Sequence, residues 1–508
     1  MRSTHEPAVD VVLRQVQLSK LDYRPGPAST TRTDVNAHRK LARSALVLGS
    51  ALGFALLACA QTTAPASAPT GPLNLRQAVE TAQLRYPAIV AAQERQQAAR
   101  ASIGLARTAY LPRVDMLWQG NRATTNKPNM TYIPEGIVPV PNPPARPTTG
   151  RSDWNSLAGV LLAWQPFDFG VRHGEVRAAG FQYESAQHAT ALSRLDVGSA
   201  AAGAFFDVVA ARQTVAVQQA NMQRMEAFAH AVHVLVDNQL RPGADASQAD
   251  AQLAAARTQL IQAQTQAQIH LDALANFLQV SAADLNIDDT RVLGDAPSEN
   301  PRALTIDAHP AVQQEQAFLN EQKQNLHVLS RSYAPAFTLY GSVSGLGSGL
   351  SNASPSPTFK GGTAGLAPDT YNWVAALQVT FPAFQIFSIH QQKKQQQAQV
   401  LSTQAAWTQM RSDLSAQVKE AQAMLDGARR VAQNTPVELS AARASEQQQQ
   451  ARYRSGLATV IEVSAAEAAL AQAEADDALA RLNVWRGLAG VAEAQGDLSP
   501  FLQLLGQP

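Results

Sequence analysis

The sequence predicts a mainly α-helical fold with a transmembrane β-portion, built from two similar halves. Three observations predict it. The segment Tyr86-Pro87-Ala88-Ile89, followed by Tyr110-Leu111-Pro112, returns with the same spacing as His309-Pro310-Ala311-Val312, followed by Tyr333-Ala334-Pro335. No proline interrupts residues 171–241 or 383–435, so long helices are expected there. Four runs of about ten residues alternate apolar with polar or small side chains, the period of a β-strand. A repeat this long is a duplicated half-protein, not a solenoid unit.

Composition agrees. The 508-residue chain is 45% hydrophobic but only 6% aromatic, which suits closely packed, Ala-rich helices. A net charge of +1 offers no electrostatic case for nucleic acid. Arg39, Lys40 and Arg43 precede the uncharged apolar run 45–58, the pattern of a secretory signal and too short for a membrane span. Residues 1–58 are thus an N-terminal extension and signal, with 1–38 matching no part of one, and 59–72 a flexible mature N-terminus. Cys59, the single cysteine, ends Leu56-Leu57-Ala58-Cys59, which resembles a bacterial lipobox and would make it a lipidation site. Ordinary cleavage around Ala58-Cys59-Ala60, a small-x-small pattern, is the alternative.

The first repeat covers 73–280. Residues 74–110 read as helix broken near Pro87. Strands near 113–120 and 156–165 flank a Pro/Asn/Thr-rich extracellular loop, 121–153, and a helical hairpin occupies 170–279. A linker, 281–302, leads to the second repeat, 303–490. There, strands near 336–345 and 372–381 flank an extracellular loop, 346–370, before a hairpin at 384–490; 491–508 is a C-terminal tail. Trp118, Trp164 and Trp373 stand on the apolar strand faces and read as membrane-facing aromatics.

Four transmembrane strands cannot close a barrel, and an open edge in lipid leaves backbone groups unsatisfied. Further copies must close it. Two would give eight strands around a filled interior, whereas three would give twelve around a lumen, which the polar opposite strand faces favour. Helices of about 70 residues would reach about 100 Å, and must pack along one another as coiled-coil-like hairpins.

Over most of its length the chain resembles the TolC-like outer-membrane efflux proteins. The residues that carry the likeness are the Tyr-x-Pro before each half's first strand, Pro166-Phe167-Asp168-Phe169-Gly170, and Tyr453-Arg454-Ser455-Gly456-Leu457. The resemblance implies a homotrimer with a twelve-stranded barrel in the outer membrane of a Gram-negative bacterium and a helical tunnel through the periplasm. It implies outer-membrane lipid, a periplasmic adaptor and an inner-membrane pump as partners, and a passive exit duct for drugs, metals or other small molecules. A type I protein-secretion duct, or a non-conducting periplasm-spanning structural protein, are the alternatives.

The resemblance also implies a periplasmic gate of inward carboxylates after the tip glycine. Glu462 matches the first family position; the next falls on Ala465, with Glu467 close by. Aligning Leu253 with Leu470 sets Asp245 opposite Glu462. Threefold repetition would make Glu462 a ring of carboxylates, while a helix-start acid favoured by the dipole is the plainer reading. The turns Leu240-Arg241-Pro242-Gly243 and Arg454-Ser455-Gly456-Leu457 would be the adaptor contacts, although Gln239 stands where the family has a tip glycine.

No feature argues for catalysis or a cofactor. Gly345-Leu346-Gly347-Ser348-Gly349 is followed by Ser, Pro and Asn, not by a helix that could hold a phosphate, and reads as a hairpin loop. His230 and His233, with Met222 and Met225 earlier on the same helix, are weak candidates for a soft-metal site.

Overall fold

The computed structural model describes residues 71–124, 152–294, 296–297, 304–349, 358 and 360–505. Cys59, the expected signal, residues 125–151 of the expected first loop and part of the expected second loop lie outside these residues.

In each half the repeated proline is the first residue of the helix that leads to the strands. Asn74 caps α1 (Leu75–Arg85) through a capping box: its side chain accepts from the Gln77 N–H at 2.9 Å, and its own N–H donates to Gln77 Oε1 at 3.1 Å. Tyr86 is extended, and Pro87 starts α2 (Pro87–Thr108). The second half repeats this: His309 Nδ1 accepts from the Ala311 N–H at 3.1 Å, ahead of Pro310 at the start of α6 (Pro310–Arg331). Proline suits the first helical turn because its missing N–H has no intrahelical partner there.

The strands are β1 (Arg113–Thr124), β2 (Ser152–Phe167), β3 (Ala336–Ser348) and β4 (Thr370–Thr380). They form one antiparallel sheet in the order β1-β2-β3-β4. β1, β2 and β3 exceed the apolar runs that announced them, because the backbone ladder continues past the apolar band, while β4 starts two residues before the expected 372 and ends one before 381. Residues 121–124, expected in the loop, pair with 152–155. Residues 345–348, expected in a hairpin loop, are the end of β3. Their glycines explain why: a Cβ at Gly347 would lie 2.4 Å from the Ala367 carbonyl oxygen, so the returning segment lies directly on the strand.

Register places the apolar side chains in transverse rows. Met116, Val160, Val343 and Trp373 stand in one row, and Trp118, Ala158, Gly345 and Tyr371 in the next. This face is bare in the protomer, Trp118 being 66% and Trp373 77% exposed, with Trp164 partly covered on the same face. Asp115, Gln119, Ser342, Ser344 and Asn372 point the other way.

Two hairpins follow. The first joins α3 (Val171–Asp237, 67 residues) to α4 (Gly243–Leu278). The second joins α7 (Gln385–Arg454, 70 residues) to α8 (Val460–Ala494). Helix α7 runs through Pro436 without ending. Midway, Leu75 and Val79 of α1, Phe205 and Phe206 of α3, Leu274 and Leu278 of α4, Leu425 of α7, and Leu482 and Trp485 of α8 make the main core. The linker is not bare: it contains α5 (Thr290–Leu293), and Leu73 pairs with Ile287 in a parallel bridge.

The tail expected at 491–508 is partly helix. α8 continues to Ala494, Gly496 turns the chain at φ +86°, and α9 (Ser499–Leu504) folds back. Phe501 is fully buried, its ring 6.4 Å from Trp485, and that apolar area fixes the segment.

Candidate functional site at the hairpin tips

Both tips close by the same backbone device. At the first, Gln239 takes φ +59°; the Leu240 N–H reaches the Leu235 carbonyl and the Gln239 N–H the Val236 carbonyl, both at 2.8 Å. At the second, Gly456 takes φ +78°; the Leu457 N–H reaches the Arg452 carbonyl at 2.8 Å and the Gly456 N–H the Tyr453 carbonyl at 3.0 Å. These are paired Schellman closures. Gln239 therefore does the work of a tip glycine despite its side chain. Leu240 and Leu457 project outward, 69% and 70% exposed.

The two tips are clipped together by Arg241. Its Nη2 donates to the Tyr453 carbonyl at 3.0 Å, and its guanidinium lies 4.6 Å from the centroid of the Tyr453 ring. Its Nη1 is 3.9 Å from Asp245 Oδ2. Tyr453 is buried against Phe228 and Val463, which pushes its phenol above the ordinary range. Pro242 and Gly243 start α4, while Arg454 and Ser455 end α7.

The three expected gate carboxylates occupy three different environments. Glu462 is exposed and closes a capping box: the Thr459 N–H donates to its Oε2 at 2.6 Å, and its own N–H donates to Thr459 Oγ1 at 3.3 Å. The Thr459 backbone bond, then the hydroxyl, hold this carboxyl below its usual range. Asp245 is partly exposed beside Arg241. Glu467 stands apart from both. It is 0% exposed, with Oε2 accepting from Arg224 Nε at 2.9 Å and Oε1 from Gln450 Nε2 at 3.1 Å. A helix-facing position replaces the expected gate position, because 467 continues the buried stripe Val460, Val463 and Leu470 of α8.

Arg224, Glu446, Gln450 and Glu474, which gather around Glu467, escaped the sequence reading. The available signal was a glutamate inside an apolar stripe, which demands a partner. The histidines do not join a metal-like cluster with the methionines: His233 Nε2 pairs with Asp250 at 2.8 Å, His230 is exposed, and Met225 is buried. The Asp250 hydrogen bond raises the His233 pKa.

The family described as outer membrane efflux protein matches residues 78–278 and 303–497, one segment per repeat. Protein CyaE of Bordetella pertussis is 30% identical over 217 residues, which span 42% of this chain and 40% of that protein's length. The Campylobacter jejuni CmeC outer membrane channel has the same fold, with a TM-score of 0.65 at 16% identity over 83% of this chain and 85% of that one. The outer membrane protein VceC of Vibrio cholerae gives 0.66 at 14% identity over 83% and 96%. With both repeats matched, the chain belongs to the outer membrane efflux protein family.

Proposed function

We propose that three copies of this chain form a passive exit duct, with twelve strands closing a barrel and the helical hairpins forming a tunnel below it. The observation that carries this reading is the four-stranded sheet whose outer edges, β1 and β4, have no partner strand among the described residues. Such edges are costly in lipid, by several kcal/mol for each unsatisfied group, and a neighbouring copy supplies β4 to β1. The bare apolar rows then face lipid and the polar face lines the lumen. The exposed tip leucines, with Arg241, Pro242, Gly243, Arg454, Ser455 and Gly456, suit a periplasmic adaptor that couples the duct to an inner-membrane pump. Glu462 would recur three times around the axis, its second oxygen left over from the cap to meet cations.

Planar-bilayer conductance of the purified protein, with its mass in native detergent complexes, tests this. Trimer-associated conductance is expected, with cation block weakened by Glu462→Ala. A monomer or dimer without conductance sinks the duct.

A further inference from the structure

Above the tips the two halves meet through a buried polar cluster. Glu446 and Gln450 come from α7, Glu467 and Glu474 from α8, and Arg224 crosses from α3 of the first half. Glu446 lies ten residues before Gly456 and Glu467 eleven after it, so both stand about 15 Å above the turn. Glu467 is fully buried and Glu446 nearly so. Arg224 binds Glu467 through Nε and Glu474 through Nη2, at 2.9 and 3.1 Å.

Positive charge is short only in the buried part of the cluster. Three carboxylates converge on one central guanidinium already shared between two of them. Around it stand Arg443, 4.0 Å from Glu474, and Arg454 of Glu446's own helix, both exposed, with the Arg481–Asp477 pair beside Glu474. The Glu446 carboxyl is hydrogen-bonded to that of Glu467, and two buried carboxylates in contact cannot both stay ionised without a large penalty, which a proton on Glu446 relieves.

We infer that Glu446 keeps its proton against the Glu467 carboxylate, and that this carboxyl–carboxylate contact latches the second-half hairpin to Arg224 of the first half. When Glu446 releases its proton to water, two adjacent anions repel and α7 separates from α8 and α3 near the tip. Burial, and then the Glu467 charge, raise the Glu446 pKa, while Arg224 and Arg454 oppose this. The sign follows: the contact is complete below the ordinary carboxylate range and is lost as pH rises through the raised pKa. The latch rests on the duct reading only for its effect on conductance.

The test uses the full chain with Cys59→Ser and spin labels at Gln239→Cys and Leu457→Cys. Infrared difference spectra should show a buried neutral acid whose carbonyl band disappears as pH rises, is absent in Glu446→Gln and survives in Glu462→Gln. The label separation should widen over the same range and stay short at every pH in Glu446→Gln. In bilayers the open fraction should rise as pH climbs from the ordinary carboxylate range through the raised Glu446 pKa, and stay low in Glu446→Gln. A wild type with no titrating band, or a Glu446→Gln variant that retains band or movement, overturns the latch. Glu467→Gln gives a second arm: removing the neighbouring charge should lower the pH at which the Glu446 band is lost, and an unchanged midpoint also overturns it. Absence of conductance in every variant would refute the duct alone, since the band and the label separation still decide the latch.

Discussion

The guanidinium of Arg241 lies over the ring of Tyr453 and donates to that residue's carbonyl oxygen at 3.0 Å, fastening a first-half turn to a second-half turn. A cation–π contact and a hydrogen bond of this kind are together worth about 1–3 kcal/mol. Arg241→Ala should therefore raise the closed-state leak in planar bilayers. A double-mutant cycle with Tyr453→Leu should return a coupling of about 1 kcal/mol in denaturant unfolding.

Breaking the Arg224–Glu467 pair should be far more damaging. Glu467→Ala leaves a guanidinium facing a buried gap and should cost about 3–5 kcal/mol, whereas the paired change Arg224→Met with Glu467→Leu should recover most of it. Denaturant midpoints of the single and double variants check this.

The two left-handed turn residues make opposite predictions. Gly456 has open space where a Cβ would sit, so Gly456→Ala carries only backbone strain and should destabilise by about 1 kcal/mol. Gln239→Gly should stabilise by about 0.5 kcal/mol, the relief of the same strain less the entropy that glycine adds to the unfolded chain.

Thr459→Ala removes the cap of α8 and should cost about 1 kcal/mol. The Glu462 half of that cap is acid-sensitive. Its carboxyl pKa is depressed, so the contribution is present above the ordinary carboxylate range and is lost as pH falls through the lowered value. Hydrogen exchange in the first turn of α8 should speed up at acid pH in the wild type and show no such change in Glu462→Gln.

Phe501→Ala should cost about 3–5 kcal/mol, because the ring is fully buried against Trp485. Thermal unfolding of this variant, beside a truncation before Ser499, measures what the last helix contributes.

Much of this fold is written locally. The proline that opens α2 and α6, the alternation of Met116 and Trp118 with Asp115 and Leu117, and the turn at Gly456 each depend on a few neighbouring residues, so periodicity exposes them. What sequence reasoning misplaced depends on distant residues. Glu467 looks like a tip acid until Arg224, from the other half of the chain, is beside it. Phe501 looks like tail because its helix is only six residues long and is held by Trp485. The strands run past their apolar bands for the same reason: a ladder partner, not a side chain, decides where pairing stops.

The packing of Leu425 in the main core gives α7 a fulcrum. From there to Gly456 the helix arm is about 46 Å long, so a tilt of about five degrees at the core would swing the tip by about 4 Å. Small angular freedom at a tightly packed waist is thereby converted into lateral travel at the hairpin tips. Substitutions around Leu425, remote from both tips, should consequently alter how far the tips travel without touching a single tip residue.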